Sequence, residues 1–320
     1  MVTGVAGFIG SHLAEALTAQ GENVIGVDSF IDYYPREMKQ KNLESLARSP
    51  RFELIETPLQ EMELEPLLAR VDVVYHLAAQ AGVRASWGKE FSIYTDNNIL
   101  ATQRLLEAAA KEPVKAFVYA SSSSVYGDAA ELPMRESVPL HPLSPYGVSK
   151  LAVEKLCYLY CVNHSVPTMG LRYFTVYGPR QRPDMAFHRL FRNALDGEEF
   201  HLFGDGQQTR DFTYVSDAVE ATLAAARRGR PGSVYNIGGG SRVSLLEVIE
   251  EIEKLTGTKF RLRHEPNQKG DMRDTYADTT AARNDLGYQP KVTLRDGLEE
   301  EWKWLRTAIA KQGGKGAAGL

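Results

Sequence analysis

Short β-branched or apolar runs alternate with longer amphipathic stretches through the first half of the chain. Residues 23–28 (NVIGVD), 52–57 (FELIET), 71–79 (VDVVYHLAA) and 116–122 (AFVYASS) read as strands. Between them, residues 9–21, 36–48 and 97–111 space their apolar positions at the helical period. Such alternation predicts a parallel sheet covered by helices on both faces. A helix starting near Tyr146 leads to a further strand at 168–178, after which the chain reads as loop-rich around 179–184 and 203–211. Helices at 215–227 and 244–257 flank a strand at 233–238, and no fixed-period repeat is visible. The expected fold is α/β: a Rossmann-type doubly wound parallel sheet with a smaller α/β carboxy-terminal substrate domain. We place a nucleotide-binding domain at 1–170, rejoined by a segment near 212–237, and a mainly substrate-binding domain at 171–320, with a cleft between them. The tail at 311–320 has little to bury and is expected to fray.

Composition narrows the function. The chain has 320 residues, 43% hydrophobic and 24% charged, with a net charge of −4. That balance is the one of a globular protein, and no basic run suggests nucleic acid or an anionic membrane as partner. No apolar stretch is long enough for a membrane span. The two cysteines, Cys157 and Cys161, lie one turn apart in an apolar helical run and read as core packing in a reduced, cytoplasmic protein.

The first candidate chemistry opens the chain. Gly4, Gly7 and Gly10 form a G-x-x-G-x-x-G loop, with Phe8 and Ile9 inside it, that runs directly into a helix. Glycines there permit a tight turn and close backbone approach to a pyrophosphate, which the helix N-terminus favours electrostatically. The next strand ends in Asp28, placed to accept hydrogen bonds from ribose hydroxyls. A carboxylate at that point repels a 2′-phosphate, so NAD is expected rather than NADP.

Tyr146 and Lys150, in SPYGVSK, stand four residues apart and project from one helix face. A tyrosine of ordinary pKa, about 10, is a poor base at neutral pH. A nearby ammonium favours the phenolate and makes the pair a candidate acid–base couple. Taken with VTGVAGFIGSHL, HLAAQAGVR, ASSSSVYG and RDFTYVSD, in this order, the chain resembles the extended short-chain dehydrogenase/reductase family, and within it the nucleotide-sugar 4-epimerases. The resemblance spans nearly the whole chain. It implies an isomerase with tightly bound NAD, in which Tyr146, Lys150 and Ser122 are catalytic; Ser122 is assigned by its place three residues before Val125. It further implies cofactor contacts from Ala78, Ala79 and Gln80, with Asn98 near the nicotinamide. Relatives usually pair as homodimers through two helices, here near 97–111 and 147–163, with Cys157 and Tyr158 expected at the contact.

Residues 122–124 bear on the substrate. Ser123 and Ser124 stand where 4,6-dehydratases carry Asp-Glu and where decarboxylases carry a glutamate, which speaks against both reactions. The stretch RYFTVYGPRQRPDMA, with Thr175, resembles UDP-glucuronate 4-epimerases, whereas many UDP-glucose epimerases have asparagine at that place. Ser123, Ser124 and Thr175 would offer neutral donors to a C5′ carboxylate. The resemblance favours conversion of UDP-glucuronate to UDP-galacturonate. UDP-glucose/UDP-galactose epimerisation is the alternative, UDP-glucuronate decarboxylation the third reading, and a non-catalytic NAD sensor the reading from another class. Arg182 and Arg210 are candidates to clamp the diphosphate, and Asp271 to face the ribose or uracil.

Three departures from the family pattern stand out. Only Met1, Val2 and Thr3 precede the glycine loop, so the first strand is short and NAD retention is expected to be weaker. Pro58 replaces an aspartate that commonly meets the adenine, which leaves Glu61 or a backbone group to do so. Ala101 replaces a helix glycine without expected consequence.

Overall fold

A computed structural model describes residues 1–128 and 131–313. Its strands are β1 (Val2–Thr3), β2 (Val24–Val27), β3 (Phe52–Ile55), β4 (Val73–His76), β5 (Ala116–Ser122), β6 (Thr168–Tyr173), β7 (Val176–Tyr177), β8 (Phe200–Phe203), β9 (Thr209–Asp211), β10 (Thr213–Tyr214), β11 (Val234–Ile237), β12 (Arg242–Ser244) and β13 (Leu262–Glu265). The helices are α1 (Phe8–Ala19), α2 (Arg36–Asn42), α3 (Leu64–Leu68), α4 (Phe91–Tyr94), α5 (Ala101–Lys111), α6 (Pro145–His164), α7 (Ala186–Asp196), α8 (Val215–Arg228), α9 (Leu245–Thr256), α10 (Thr280–Leu286) and α11 (Leu294–Gly313).

Seven strands form one sheet in the order β11-β6-β5-β4-β1-β2-β3, and every pairing is parallel. This is the Rossmann-type doubly wound sheet. Short as it is, β1 lies inside the sheet between β4 and β2: Val2 pairs with Gly26 and Tyr75, and Thr3 with Val27 and His76. One face of the sheet packs Leu13, Leu17, Ala218 and Leu223 from α1 and α8; the other packs Leu105, Leu106, Val153 and Cys157 from α5 and α6. Burial on both faces explains why β4 to β6 read as nearly continuous apolar runs.

Order reverses between β1 and β4, and parallel strands open a crevice there at their carboxyl ends. The segment from 215 to 237 returns to this sheet, since α8 lies beside α1 and β11 pairs with β6. A separate core gathers Phe187, Leu190 and Phe191 of α7, Phe200 and Leu202 of β8, and Val248, Ile249 and Ile252 of α9, with Leu298 and Leu305 of α11. Here β8 pairs with β13 and β9 with β12, so the stretch read as loop around 203–211 carries strand structure. These strands are three or four residues long and therefore leave almost no period-two signal.

The strand expected over 168–178 breaks at Phe174 and Thr175. Phe174 is fully buried in a small cluster with Val125, Tyr126 and Met134, while β7 leaves the large sheet to pair with β10. Of the tail expected to fray, residues 311–313 continue α11, and 314–320 lie outside the described residues.

Candidate active site

A cleft of about 960 Å³ runs over the carboxyl ends of the central strands and reaches β8 and β9. At one side lies the glycine loop. Gly4, at φ +70°, lies so close to the start of the Ala78 segment that a Cβ would sit 2.8 Å from the Ala78 nitrogen. A Cβ on Gly10 would come within 2.2 Å of the Gly4 carbonyl oxygen, so only glycine lets α1 pack down on the turn. Gly7 caps α1 without any side-chain acceptor, and the first turn holds no acidic residue. The opening N–H groups of α1 therefore face the cleft unclaimed by side chains, which suits a pyrophosphate.

Asp28 lines the cleft at the end of β2. Its Oδ2 accepts from the Ala6 amide at 2.9 Å and its Oδ1 from Phe30 at 2.8 Å. Both oxygens keep lone pairs for ribose hydroxyls. Burial pushes this carboxyl upward, and the two amide bonds pull it back. The residues thus fit a dinucleotide with free ribose hydroxyls. Near the expected adenine end, Thr57, Leu59 and Gln60 line the cleft, whereas Glu61, one of the two groups the sequence offered there, is exposed and outside it, which leaves the backbone group. The short helical turn at Leu59–Glu61 presents Gln60 and turns Glu61 away.

Ala78 and Ala79 line the cleft as expected. Gln80 and Asn98 lie behind the wall, 5% and 1% exposed. Asn98 accepts from the Gln80 amide at 2.7 Å, and its Nδ2 donates to the Gln80 carbonyl at 3.1 Å and to Ser149 Oγ at 2.8 Å. It sits in a π-helical stretch, Thr95–Leu100, and ties the segment after β4 to α6. Ala101 follows and lines the cleft.

At the reacting end, α6 starts on a Ser144 cap that accepts from Gly147 at 3.1 Å, with Pro145 in the first turn. A Cβ on Gly147 would lie 2.5 Å from the Ser124 carbonyl, so this glycine lets α6 dock on the serine turn. That docking brings Tyr146 beside Ser122. Ser122, Ser123, Ser124 and Thr175 line the same end of the cleft. Lys150, one turn along, donates to the Ala120 carbonyl at 2.9 Å, and burial lowers its pKa to about 8.

Burial raises the Tyr146 phenol above its ordinary value, while a hydrogen bond from Ser122 and the charge of Arg182 act in the opposite direction. The Arg182 guanidinium thus favours the phenolate. Arg182 lines the cleft, and its charge reaches the Tyr146 phenol. It forms a two-pronged pair with Asp184, at 3.0 Å on both prongs, and its guanidinium carbon lies 5.7 Å from the centre of the Tyr33 ring. Tyr33 donates to Asp184 at 3.1 Å.

The other end carries more cations. Arg210 donates to the carbonyls of Thr209 at 2.8 Å, Met272 at 2.7 Å and Arg273 at 3.1 Å, so neutral groups hold it in place. Arg84 stacks over Phe203 at 4.3 Å and pairs with Asp271 at 2.8 Å. Arg189 of α7 lies over Phe200, and burial lowers its pKa with Arg84 adding to the effect. All three line the cleft, as does Asp271. Sequence reasoning missed Arg84 and Arg189 as site residues, and Tyr33 and Asp184 as well. Helix α7 carries both Arg189 and Arg192 beside its buried Phe187, Leu190 and Phe191, and its sequence does not mark which of the two faces the cleft. Tyr33 and Asp184 meet across 151 residues, and no local pattern marks them.

A doubly wound sheet with a glycine loop, an acid at the end of the second strand and a Tyr-x-x-x-Lys helix over a serine turn defines a dinucleotide-dependent enzyme of the short-chain dehydrogenase type. The chain belongs to the NAD dependent epimerase/dehydratase family, which it matches over residues 1–238. It is 48% identical over 309 residues to an uncharacterized UDP-glucose epimerase, YtcB, of Bacillus subtilis, covering 95% of this chain and 97% of that one. To a UDP-glucuronate 4-epimerase of Thermodesulfobacterium geofontis it is 35% identical over 314 residues, covering 97% and 96%. The solved UDP-glucuronic acid 4-epimerase of Bacillus cereus, in complex with UDP-glucuronic acid and NAD, superposes with a TM-score of 0.94 at 45% identity, covering 96% of this chain and 98% of that one.

Proposed function

We propose that this protein is an isomerase, a UDP-sugar 4-epimerase with bound NAD, and that it interconverts UDP-glucuronate and UDP-galacturonate. The observation that carries the substrate is the reacting end itself. Hydroxyls of Ser123, Ser124 and Thr175 line it as neutral donors, and the arginine whose charge reaches it, Arg182, is already paired with Asp184, a set that suits hydrogen bonding of a carboxylate better than a hydroxymethyl group. The likeness to UDP-glucuronate 4-epimerases supports this reading.

In it, Gly4, Gly7, Phe8, Ile9, Gly10, Asp28, Ala78 and Ala79 hold NAD, and Gln80 and Asn98 act by fixing the backbone behind them. Bound NAD supplies a hydride acceptor and donor for C4′. Tyr146 takes the 4′-hydroxyl proton, with Ser122 sharing a hydrogen bond to the same oxygen and Lys150 holding positive charge beneath. The 4-keto sugar then turns about its diphosphate, and Tyr146 returns a proton to O4′ as the opposite configuration forms. Arg84, Arg189 and Arg210 hold the diphosphate, and Asp271 lies on the nucleoside side. Residues 1–170 with the segment near 212–237 form the cofactor half, and the remainder of 171–320 the sugar half.

We also propose a homodimer. Val148, Tyr158, Leu159 and Val162 expose an apolar face on α6, next to Leu100. Cys157, expected at that contact, instead points into its own core. Arginine at Leu159 and Val162 should leave a monomer in sedimentation. Among the described residues no helix is long and apolar enough to cross a membrane.

The test of activity is incubation of purified protein with UDP-glucuronate and, separately, UDP-glucose, without added NAD, followed by proton NMR of the anomeric and H4′ signals. Conversion of UDP-glucuronate alone supports the whole reading. Turnover of UDP-glucose alone overturns the substrate, and a pentose as main product overturns epimerisation.

A further inference from the structure

An arginine beside the reacting centre is a hazard in an enzyme that makes a 4-keto uronate. Oxidation at C4′ turns the C5′ carboxylate into a β-keto acid. Loss of carbon dioxide then breaks the C5′–C6′ bond and leaves its electron pair as a C4′–O4′ enolate. A proton taken up at C5′ and the hydride returned to C4′ would complete a pentose. A cation near O4′ stabilises that enolate and speeds the loss. Arg182 is such a cation: its guanidinium lies 5.7 Å from the Tyr33 ring, Tyr33 and Tyr94 both bring their hydroxyls to Gly82, and the Tyr94 ring meets that of Tyr146, which in the proposed function meets O4′.

Arg182 does not face the cleft alone. Asp184 engages its Nε and one terminal nitrogen, both at 3.0 Å, and the pair lines the same cleft as Tyr146. Asp184 in turn accepts from Tyr33, a residue of the loop after β2 that also lines the cleft, beside Gly82. Gly82 and its neighbour Ala81 accept from Tyr94, whose ring meets that of Tyr146 edge-on at 6.2 Å. The two-pronged geometry leaves the guanidinium little freedom to turn toward another oxygen.

We propose that Asp184 is a positioning residue that neutralises and aims Arg182, so that the 4-keto intermediate keeps its carboxylate and the enzyme epimerises without decarboxylating. This inference rests on the uronate reading above. It assigns product fidelity to an acid next to the site, beyond the neutral hydroxyls lining it.

The test measures the pentose share of product from UDP-glucuronate by NMR in the wild-type protein and in Asp184→Asn, Asp184→Glu and Tyr33→Phe. Asp184→Asn removes the counter-charge and should raise the pentose share about tenfold. Asp184→Glu restores a carboxylate and should return the share toward the wild-type value. Tyr33→Phe keeps the ion pair and should leave the share unchanged. An unchanged share in Asp184→Asn, or an equal rise in Tyr33→Phe, overturns the inference; the latter would trace the leak to an opened cleft and not to charge. Failure of the wild-type protein to convert UDP-glucuronate would instead strike the underlying reading, which separates the two failures.

Discussion

The two ends of the cleft are built on opposite principles. At the reacting end, hydroxyls from Ser122 to Ser124 and Thr175 line the cleft with a half-buried phenol, and the guanidinium whose charge reaches that phenol, Arg182, is paired with Asp184. At the far end Arg84, Arg189 and Arg210 stand together, and Arg210 is held by carbonyls that leave its charge intact. A diphosphate needs permanent positive charge, and an arginine fork supplies it. A carbon being oxidised beside a carboxylate needs hydrogen bonds and a tunable proton acceptor, with little net charge. In the proposed function, separation of the two would let the sugar turn at one end while the other end keeps its grip.

Substitutions at each end should fail differently. The largest effect is expected for Tyr146→Phe, which should lower kcat by about 10² to 10⁴-fold. UDP-sugar affinity, read by calorimetry, should hardly change. Arg210→Ala should show the converse, a Kd weakened by about tenfold to a hundredfold with a smaller change in kcat. Thr175→Val, which keeps the shape and loses the hydroxyl, should raise KM for UDP-glucuronate by about fivefold.

A separate effect is a pH dependence of stability at the reacting end. Lys150 has a folded-state pKa of about 8, below its ordinary 10.5. Above pH 8 the folded protein sheds this proton while the unfolded chain keeps it. The stability difference between wild type and Lys150→Met should therefore rise between pH 8 and 10.5, by at most about 1.4 kcal/mol per unit. His76 tests the opposite limb. It is fully buried between Thr3 and Thr102, and its pKa falls to about 3, chiefly through burial. Its contribution is complete above its unfolded value of 6.5 and should be lost as pH falls from there toward 3, a loss that His76→Asn should remove. Chemical denaturation across these windows measures both.

Much of the reacting end was legible because its chemistry lies in contiguous stretches. The glycine loop, the end of β2, the serine turn and the first turns of α6 each declare themselves within about ten residues, as a strand–turn–helix requires. Register within such a stretch fixes which side chain faces the cleft. The far end was less so. Its arginines come from the segment after β4, from α7 and from β9, and tertiary packing alone brings them together. Two of the three went unrecognised, and the pairing of Arg182 with Asp184 was not legible either, because a loop arginine carries no sign of the partner it will find. Gln80 and Asn98 show a third case. Their motif was visible, but whether an amide meets a cofactor or a backbone depends on a hydrogen bond between residues 18 apart.

The central claim is that C4′ is inverted by removal and return of its own hydrogen within one closed cleft. Turnover of UDP-glucuronate carrying deuterium at C4′ tests it directly, with the label in UDP-galacturonate located by NMR. The account predicts that deuterium stays at C4′ with inverted configuration and that none reaches solvent. Label washed out into water, or a product carrying solvent hydrogen at C4′, would contradict it.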